Sequence, residues 1–387
     1  MENFEEKSCL CALNRIFGFD PKLGTALISH LGSAKEVFRL TDKELYAMLG
    51  PHSRYNGRIS LKALEEASKE IISIQNQGIQ FHGITEDTYP PLLKECEDAP
   101  VGLYIRSCTP ANELWANDSI GIVGTREISP YGKEWCNRIV KGLALTESRP
   151  SIISGLALGV DIEAHKTALE NGLPTIAVMA TGPEDIYPRR HKRFADIMAD
   201  TQGCALITDY PPGTAPLAVH FLRRNRIIAG LSRSTLLIES KIRGGGMMTC
   251  RLAFSYNRDV YALPGRVDDI RSAGCNELIR KKIADPITSI PTLIDSLCLK
   301  SSGKSSPSDF AAIINEHYKG ICTKEDIYAM SEIMKTIMKN RGITIEELGD
   351  RLGIGYIRTA ELTGLLEADD LIITDLLQRC SINPKLL

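Results

Sequence analysis

Four segments of the chain set glycines, hydroxyls or charged side chains directly behind short apolar runs. Gly124-Thr125-Arg126 follows Ile120–Val123, and Ser154-Gly155-Leu156-Ala157-Leu158-Gly159 follows Ser151–Ile153. Gly182 follows Thr175–Met179, and Glu239, then Gly244-Gly245-Gly246 and Thr249, follow Thr235–Ile238. Glycine lets a backbone approach a ligand closely, a helix N-terminus offers unpaired N–H groups, and arginine supplies a planar fork for oxyanions. The chemistry these types suit is phosphate binding. One such loop is often only a tight turn, whereas four behind successive strands converge on one sheet edge. The spacing is neither GxGxxG nor GxxxxGK[ST], so neither a dinucleotide fingerprint nor a Walker A loop is present. ATP hydrolysis is therefore not expected, and no cofactor is implied.

Charge points the same way. The formal net charge is −2, yet Arg189 to Lys282 carries 17 Lys and Arg against 8 Asp and Glu, a local excess of +9. Two runs are dense, Arg189-Arg190-His191-Lys192-Arg193 and Arg223-Arg224-Asn225-Arg226, and Lys241 and Arg243 stand just before the glycine triplet. Scattered cations often mark only solvated helix faces, but clusters without nearby acids mark the footprint of a polyanion. Asp161 and His165 lie one helical turn apart and could pair as acid and base or hold a metal. Beside Val160 and Ala164, a capping aspartate and a packed histidine are the expectation. Glu239 is expected to satisfy backbone N–H groups or an arginine. The 11 cysteines are odd in number and irregular in spacing, and Cys9 and Cys11 do not form a CxxC pair, so no metal site is expected. With the acidic start Met1-Glu2-Asn3-Phe4-Glu5-Glu6 and no apolar run near the ~18 residues of a membrane helix, the reading is a cytoplasmic protein without a membrane partner.

The elements that must position these residues form three domains. Residues 1–80 read as a small helical domain of short helices and tight turns, fitting either a helix-hairpin-helix grip on a nucleic-acid backbone or an interaction bundle. Residues 81–300 begin with an extended, Pro-rich stretch of edge strands and covering loops. Six apolar runs separated mostly by helices follow, which predicts an α/β fold, an extended Rossmann-like doubly wound parallel sheet. Right-handed crossovers then align all strand C-termini along one edge. Residues 301–308, Ser-Ser-Gly-Lys-Ser-Ser-Pro-Ser, read as a linker. Residues 309–387 are helical and resemble a winged helix, with Thr344 and Glu347 spaced as a capping box. Ser301 to Leu387 has 10 basic and 13 acidic residues, which favours a protein contact over duplex reading.

Over roughly Gly121 to Lys282 the sequence resembles the bacterial DNA-processing family DprA, also called Smf. The matching residues include Ile122-Val123-Gly124-Thr125-Arg126, Gly159-Val160-Asp161 with Ala164-His165, Ile186-Tyr187-Pro188, Arg224-Asn225-Arg226-Ile227-Ile228-Ala229-Gly230 and Pro264-Gly265. The resemblance implies a non-enzymatic mediator that binds single-stranded DNA without sequence preference, protects and processes incoming DNA in natural transformation, and loads the recombinase RecA in homologous recombination. It also implies a homodimer.

The family's DNA pocket would fall on Arg126, Arg189, Phe221, Arg224 and Arg226. Gly155, Arg223, Asn225, Lys241 and Arg243 complete the expected DNA-binding set, and Gly124, Thr125, Ser154, Gly244, Gly245, Gly246 and Thr249 form the expected phosphate loops. Many members carry Arg or Lys where Leu158 stands, and Arg190, Lys241 and Arg243 are the cations here that could compensate. Phe221 reads either as a ring on which a base stacks or as a core residue opening the helix of the arginines. The alternative function is a nucleotide-cleaving phosphoribohydrolase on the same fold. Its motif Pro-Gly-Gly-x-Gly-Thr-x-x-Glu needs an acid where Cys250, Arg251 and Leu252 follow Thr249.

Overall fold

The computed structural model describes residues 2–299, 310–340, 342–375 and 378–383. The predicted linker, 301–308, lies outside them. The described residues up to 299 form one compact unit and those from 310 onward a second.

The first unit begins with five helices, α1 (Glu2–Phe17), α2 (Pro21–Leu31), α3 (Ala34–Arg39), α4 (Asp42–Leu49) and α5 (Leu61–Gln75). Their starts are written in the sequence. The Ser33 and Ser60 hydroxyls accept the N–H groups of Glu36 and Ala63, and Thr41 with Glu44 closes a capping box. Leu10, Leu13 and Phe17 of α1 and Ile71 and Ile74 of α5 are buried in one cluster with Ile79, Phe81, Val101 and Tyr104. Each such side chain contributes roughly 1.5–3 kcal/mol when fully buried. That cluster welds the helices to the strands that follow.

Those strands and their connections run β1 (Ile79–Gly83), α6 (Pro91–Lys94), β2 (Gly102–Arg106), α7 (Ala111–Leu114), β3 (Ser119–Val123), α8 (Pro130–Ala144), β4 (Ser151–Ser154), α9 (Val160–Glu170) and β5 (Thr175–Val178). A short 3-10 turn at Arg189–His191 leads to α10 (Lys192–Ala199), β6 (Ala205–Thr208), α11 (Ala218–Leu231), β7 (Ser234–Leu237), α12 (Gly245–Ser255), β8 (Asp259–Ala262), α13 (Ala273–Arg280), β9 (Asp285–Pro286) and α14 (Ile290–Ser296). The nine-stranded sheet has the order β1-β2-β6-β5-β4-β3-β7-β8-β9. From β6 to β9 every pairing is parallel, while β1 and β2 add an antiparallel edge beside β6.

Strands β3 to β7 are buried along their whole length, as parallel strands covered on both faces must be. One face packs Val123, Ile153 and Leu237 against Ile227 and Ile228 of α11 and Cys250 of α12. The other packs Ile122, Ile152 and Leu236 against Ile139 of α8 and Ala164 of α9. The predicted doubly wound α/β sheet is therefore what the chain forms, and the predicted edge strands before it are β1 and β2.

The second unit contains α15 (Phe310–Tyr318), α16 (Lys324–Lys339), β10 (Ile343–Thr344), α17 (Ile345–Leu352), α18 (Tyr356–Ala368), β11 (Ile372–Thr374) and β12 (Arg379–Ile382). Three strands in the order β10-β12-β11 make a small antiparallel sheet beside the helices. Thr344 and Glu347 close the expected capping box at the start of α17. Among the described residues no helix is long and apolar enough to cross a membrane.

Candidate nucleic-acid interface

The chain leaves β3 toward β4 on one side, and β7 returns to pair on its other side. Connections diverge at that point, which opens a crevice beyond the strand C-termini. A pocket of about 80 Å³ lies there, lined by Gly124 and Arg126 behind β3, Ala157 and Asp161 behind β4, Phe221, Arg224 and Asn225 of α11, and Gly245, Gly246 and Thr249 of α12. The structure thus brings the loops behind β3, β4 and β7 together as the sequence implied. Gly182 does not line the pocket.

Close packing beneath the pocket depends on two glycines. Gly159 has φ +76°, and a side chain there would overlap the Thr125 carbonyl and the Arg126 backbone. Gly155 lies against the guanidinium of Arg224, leaving no room for a Cβ. Ser154 ties β4 to β3 by donating its hydroxyl to the Ile122 carbonyl at 2.6 Å.

The arginines of α11 are engaged by the protein itself. Arg224 is buried, donating to the Gly155 carbonyl at 2.7 Å and to the Val178 carbonyl. Burial lowers its pKa, opposed by the charge of Asp161. Burial raises the pKa of Asp161 in turn, opposed first by Arg224 and then by hydrogen bonds from Ala157, Ser154 and Gly155. Arg226 points elsewhere, pairing with Asp209 at 2.5 Å and donating to the Asp98 carbonyl. Arg223 donates to the Gly18 carbonyl at 2.7 Å and lies 4.6 Å from the Phe19 ring centre, clamping α11 to the N-terminal helices. Successive positions on a helix turn by about 100°, so one dense run sends its cations in three directions, all into protein. Asn225 is 92% buried and lines the pocket, and no hydrogen bond to its side chain is found among the described residues.

The rim is different. Arg126 is exposed, with its guanidinium carbon 5.4 Å from the centre of the Phe221 ring. Phe221 is half-buried, belongs to none of the buried apolar clusters, and meets Tyr187 edge-on at 5.3 Å. Tyr187 is 46% exposed and leads through Pro188 to Arg189, Arg190, Lys192 and Arg193, all exposed. Among the described residues no acid forms an ion pair with these four or with the exposed Lys241 and Arg243. Tyr187 was missed as a site residue. Its signal in the sequence is an aromatic one residue removed from a basic run.

The floor is the start of α12. Gly244 is its N-cap and offers no side-chain cap, and Gly245 and Gly246, the first residues of this 11-residue helix, line the pocket. The buried Thr249 hydroxyl lies 3.5 Å from the Gly245 carbonyl. Glu239 is occupied as expected: it accepts the Ser129 N–H at 2.9 Å and the Ser129 hydroxyl at 2.5 Å, holding the start of α8. His165 is the packed histidine anticipated, with Nδ1 2.7 Å from the Thr175 hydroxyl. Burial, reinforced by Arg224 and His191, drives its pKa down to about 3, so it is neutral at physiological pH. Among the described residues no group of three or more His, Cys, Asp or Glu side chains is placed to hold a metal.

Fold and crevice together define a Rossmann-like α/β protein with a glycine-lined pocket at the switch point of its sheet and an aromatic, cationic rim. A sequence model described as DNA recombination-mediator protein A matches residues 80–298, more than half of the chain, and the chain belongs to that family. It is 39% identical over 210 residues to the DNA processing protein DprA of Streptococcus pneumoniae, covering 54% of this chain and 72% of that one. It is 40% identical over 195 residues to the protein Smf of Escherichia coli, covering half of each chain. Among solved structures, the S. pneumoniae DprA superposes with a TM-score of 0.60 at 30% identity, over 76% of this chain and 96% of that one. A DNA processing protein A of Helicobacter pylori, described for its single-stranded DNA binding mode, superposes with a TM-score of 0.50 at 29% identity, over 57% of this chain and 96% of that one.

Proposed function

We propose that this chain binds single-stranded DNA without sequence preference at the crevice behind β3, β4 and β7. The observation that carries this reading is the rim, where the Arg126 guanidinium lies over the half-buried Phe221 ring above the uncapped start of α12. A phosphate suits the α12 N–H groups and Arg126, and a base of any identity can stack on Phe221 or Tyr187. Asn225 offers an unpaired amide inside the pocket to a base edge or sugar. Arg189, Arg190, Lys241 and Arg243 extend the cationic track, while Arg223 and Arg226 hold α11 in place away from the pocket and Arg224, on the pocket wall, is held by the Gly155 and Val178 carbonyls. The chain performs no covalent step. Glu239, behind β7, is held by Ser129.

With family membership, this reading makes the protein a homodimeric mediator that protects incoming strands and hands them to the recombinase RecA, the C-terminal unit serving protein contacts. A titration with homopolymeric single strands and duplex of equal length tests the binding step. Tighter binding of single strands, equal among homopolymers, is expected; preference for duplex would overturn it.

A further inference from the structure

The two cysteines Cys108 and Cys204 stand far apart in sequence, just beyond the neighbouring ends of β2 and β6. Strands β2 and β6 pair antiparallel with Tyr104, Ile105 and Arg106 opposite Thr208, Ile207 and Leu206. Carrying the same register two residues further sets Cys108 opposite Cys204. Two hydrogen bonds keep the segments side by side beyond the ladder, and a third ties Cys108 to the end of α10. The Ser107 hydroxyl donates to the Cys204 carbonyl at 2.6 Å, the Gly203 N–H to the Thr109 hydroxyl at 2.7 Å, and the Cys108 N–H to the Ala199 carbonyl at 2.8 Å.

Opposed residues of an antiparallel pair share one face of the sheet. Cys204 and Leu206 belong to the buried cluster beneath α10, and Arg106, two residues before Cys108, reaches Asp196 of α10 at 2.8 Å. Both thiols therefore belong to the α10 face. Directly opposed Cα atoms stand about 4.5–5.5 Å apart, inside the range a disulfide spans. Cys108 is exposed, whereas Cys204 is fully buried. Burial pushes the Cys204 thiol up, with Cys108 among the neighbours that add to the rise.

We propose that Cys108 and Cys204 are a dithiol that oxidises to a cross-strand disulfide, with the exposed Cys108 reacting first. The oxidant is a small-molecule disulfide such as oxidised glutathione. The Cys108 thiolate attacks one of its sulfurs, the glutathione S–S bond breaks, and one glutathione thiolate leaves and takes up a proton. The Cys204 thiolate then attacks the Cys108 sulfur and expels the second glutathione. Two electrons pass from the protein thiols to glutathione, and the new S–S bond clamps β2 to β6 beside the end of α10.

The test is incubation of the full chain with oxidised glutathione, alkylation after denaturation, and peptide mapping without reduction. The expected product is a Cys108–Cys204 linked peptide pair about 2 Da lighter than the two separate thiol peptides. Cys298, which is exposed, should instead carry glutathione. The Cys108→Ser chain, altered only at an exposed position, should leave Cys204 as a thiol, and Cys204→Ser should trap glutathione on Cys108. Stable glutathione on Cys108 with Cys204 alkylated in the unaltered chain would overturn the proposal, as would a link from Cys108 to any other cysteine.

Discussion

Helix α11 and the loops at the crevice rim carry the same kind of side chain to opposite ends. The densest arginine run in the chain, Arg223 to Arg226, is committed to carbonyls, an aspartate and an aromatic ring of the protein itself. Arg126, alone in its loop, and Arg189, beside Tyr187, are exposed. Charge density along a sequence thus says little about charge at a surface. A buried arginine can serve as a multi-dentate tie for backbone carbonyls, and Arg224 ties the loop behind β4 to the end of β5 in this way.

Breaking the inner set should cost the most. Arg224→Ala leaves Asp161 buried without its opposite charge, and Arg226→Ala does the same to Asp209; each should lower folding stability by ~3–5 kcal/mol in denaturant titrations. Loss of DNA affinity without loss of stability in either variant would erase the distinction between the two regions. The inner cluster also predicts an acid response. Because the His165 pKa is depressed in the folded state from 6.5 to about 3, its contribution is fully present above pH 6.5 and is lost as pH falls toward 3. Stability of the unaltered chain should fall through that window by a few kcal/mol more than that of His165→Gln.

The rim predicts the reverse pattern. Phe221→Ala should weaken single-strand binding by ~1–3 kcal/mol and leave the melting temperature nearly unchanged, with Phe221→Trp retaining affinity. A melting temperature lowered as for a core aromatic, with binding intact, would place Phe221 among the structural residues. The smallest effect is a slope. Log affinity for single strands should fall with log salt by about 0.7 per phosphate contact, and Arg189→Ala should make that slope shallower by about one such step.

Much of this fold was legible because each central strand is a short apolar run bounded by turn residues. The run read at Ile120–Val123 became β3 at Ser119–Val123, and that read at Thr235–Ile238 became β7 at Ser234–Leu237. The convergence of the glycine loops followed from the strands, since parallel order alone places all their C-termini on one edge. The facing of α11 was not legible. Which of Arg223, Arg224 and Arg226 meets solvent depends on how the helix is rotated against β4, β5 and the N-terminal helices, contacts made by residues as distant as Gly18 and Asp98. Irregular cysteine spacing likewise gives no sign of Cys108 and Cys204, which the antiparallel pairing of β2 with β6 brings to neighbouring strand ends. Tyr187 was passed over because its neighbour Phe221 is remote in sequence.

The central claim is that the rim, and not the arginine run of α11, meets the strand. Its most direct test is the affinity of Arg126→Ala for a homopolymeric single strand, measured beside its melting temperature. Affinity should fall by about tenfold or more, equally for every sequence, with the melting temperature unchanged. Unaltered affinity in a folded Arg126→Ala chain would contradict the account.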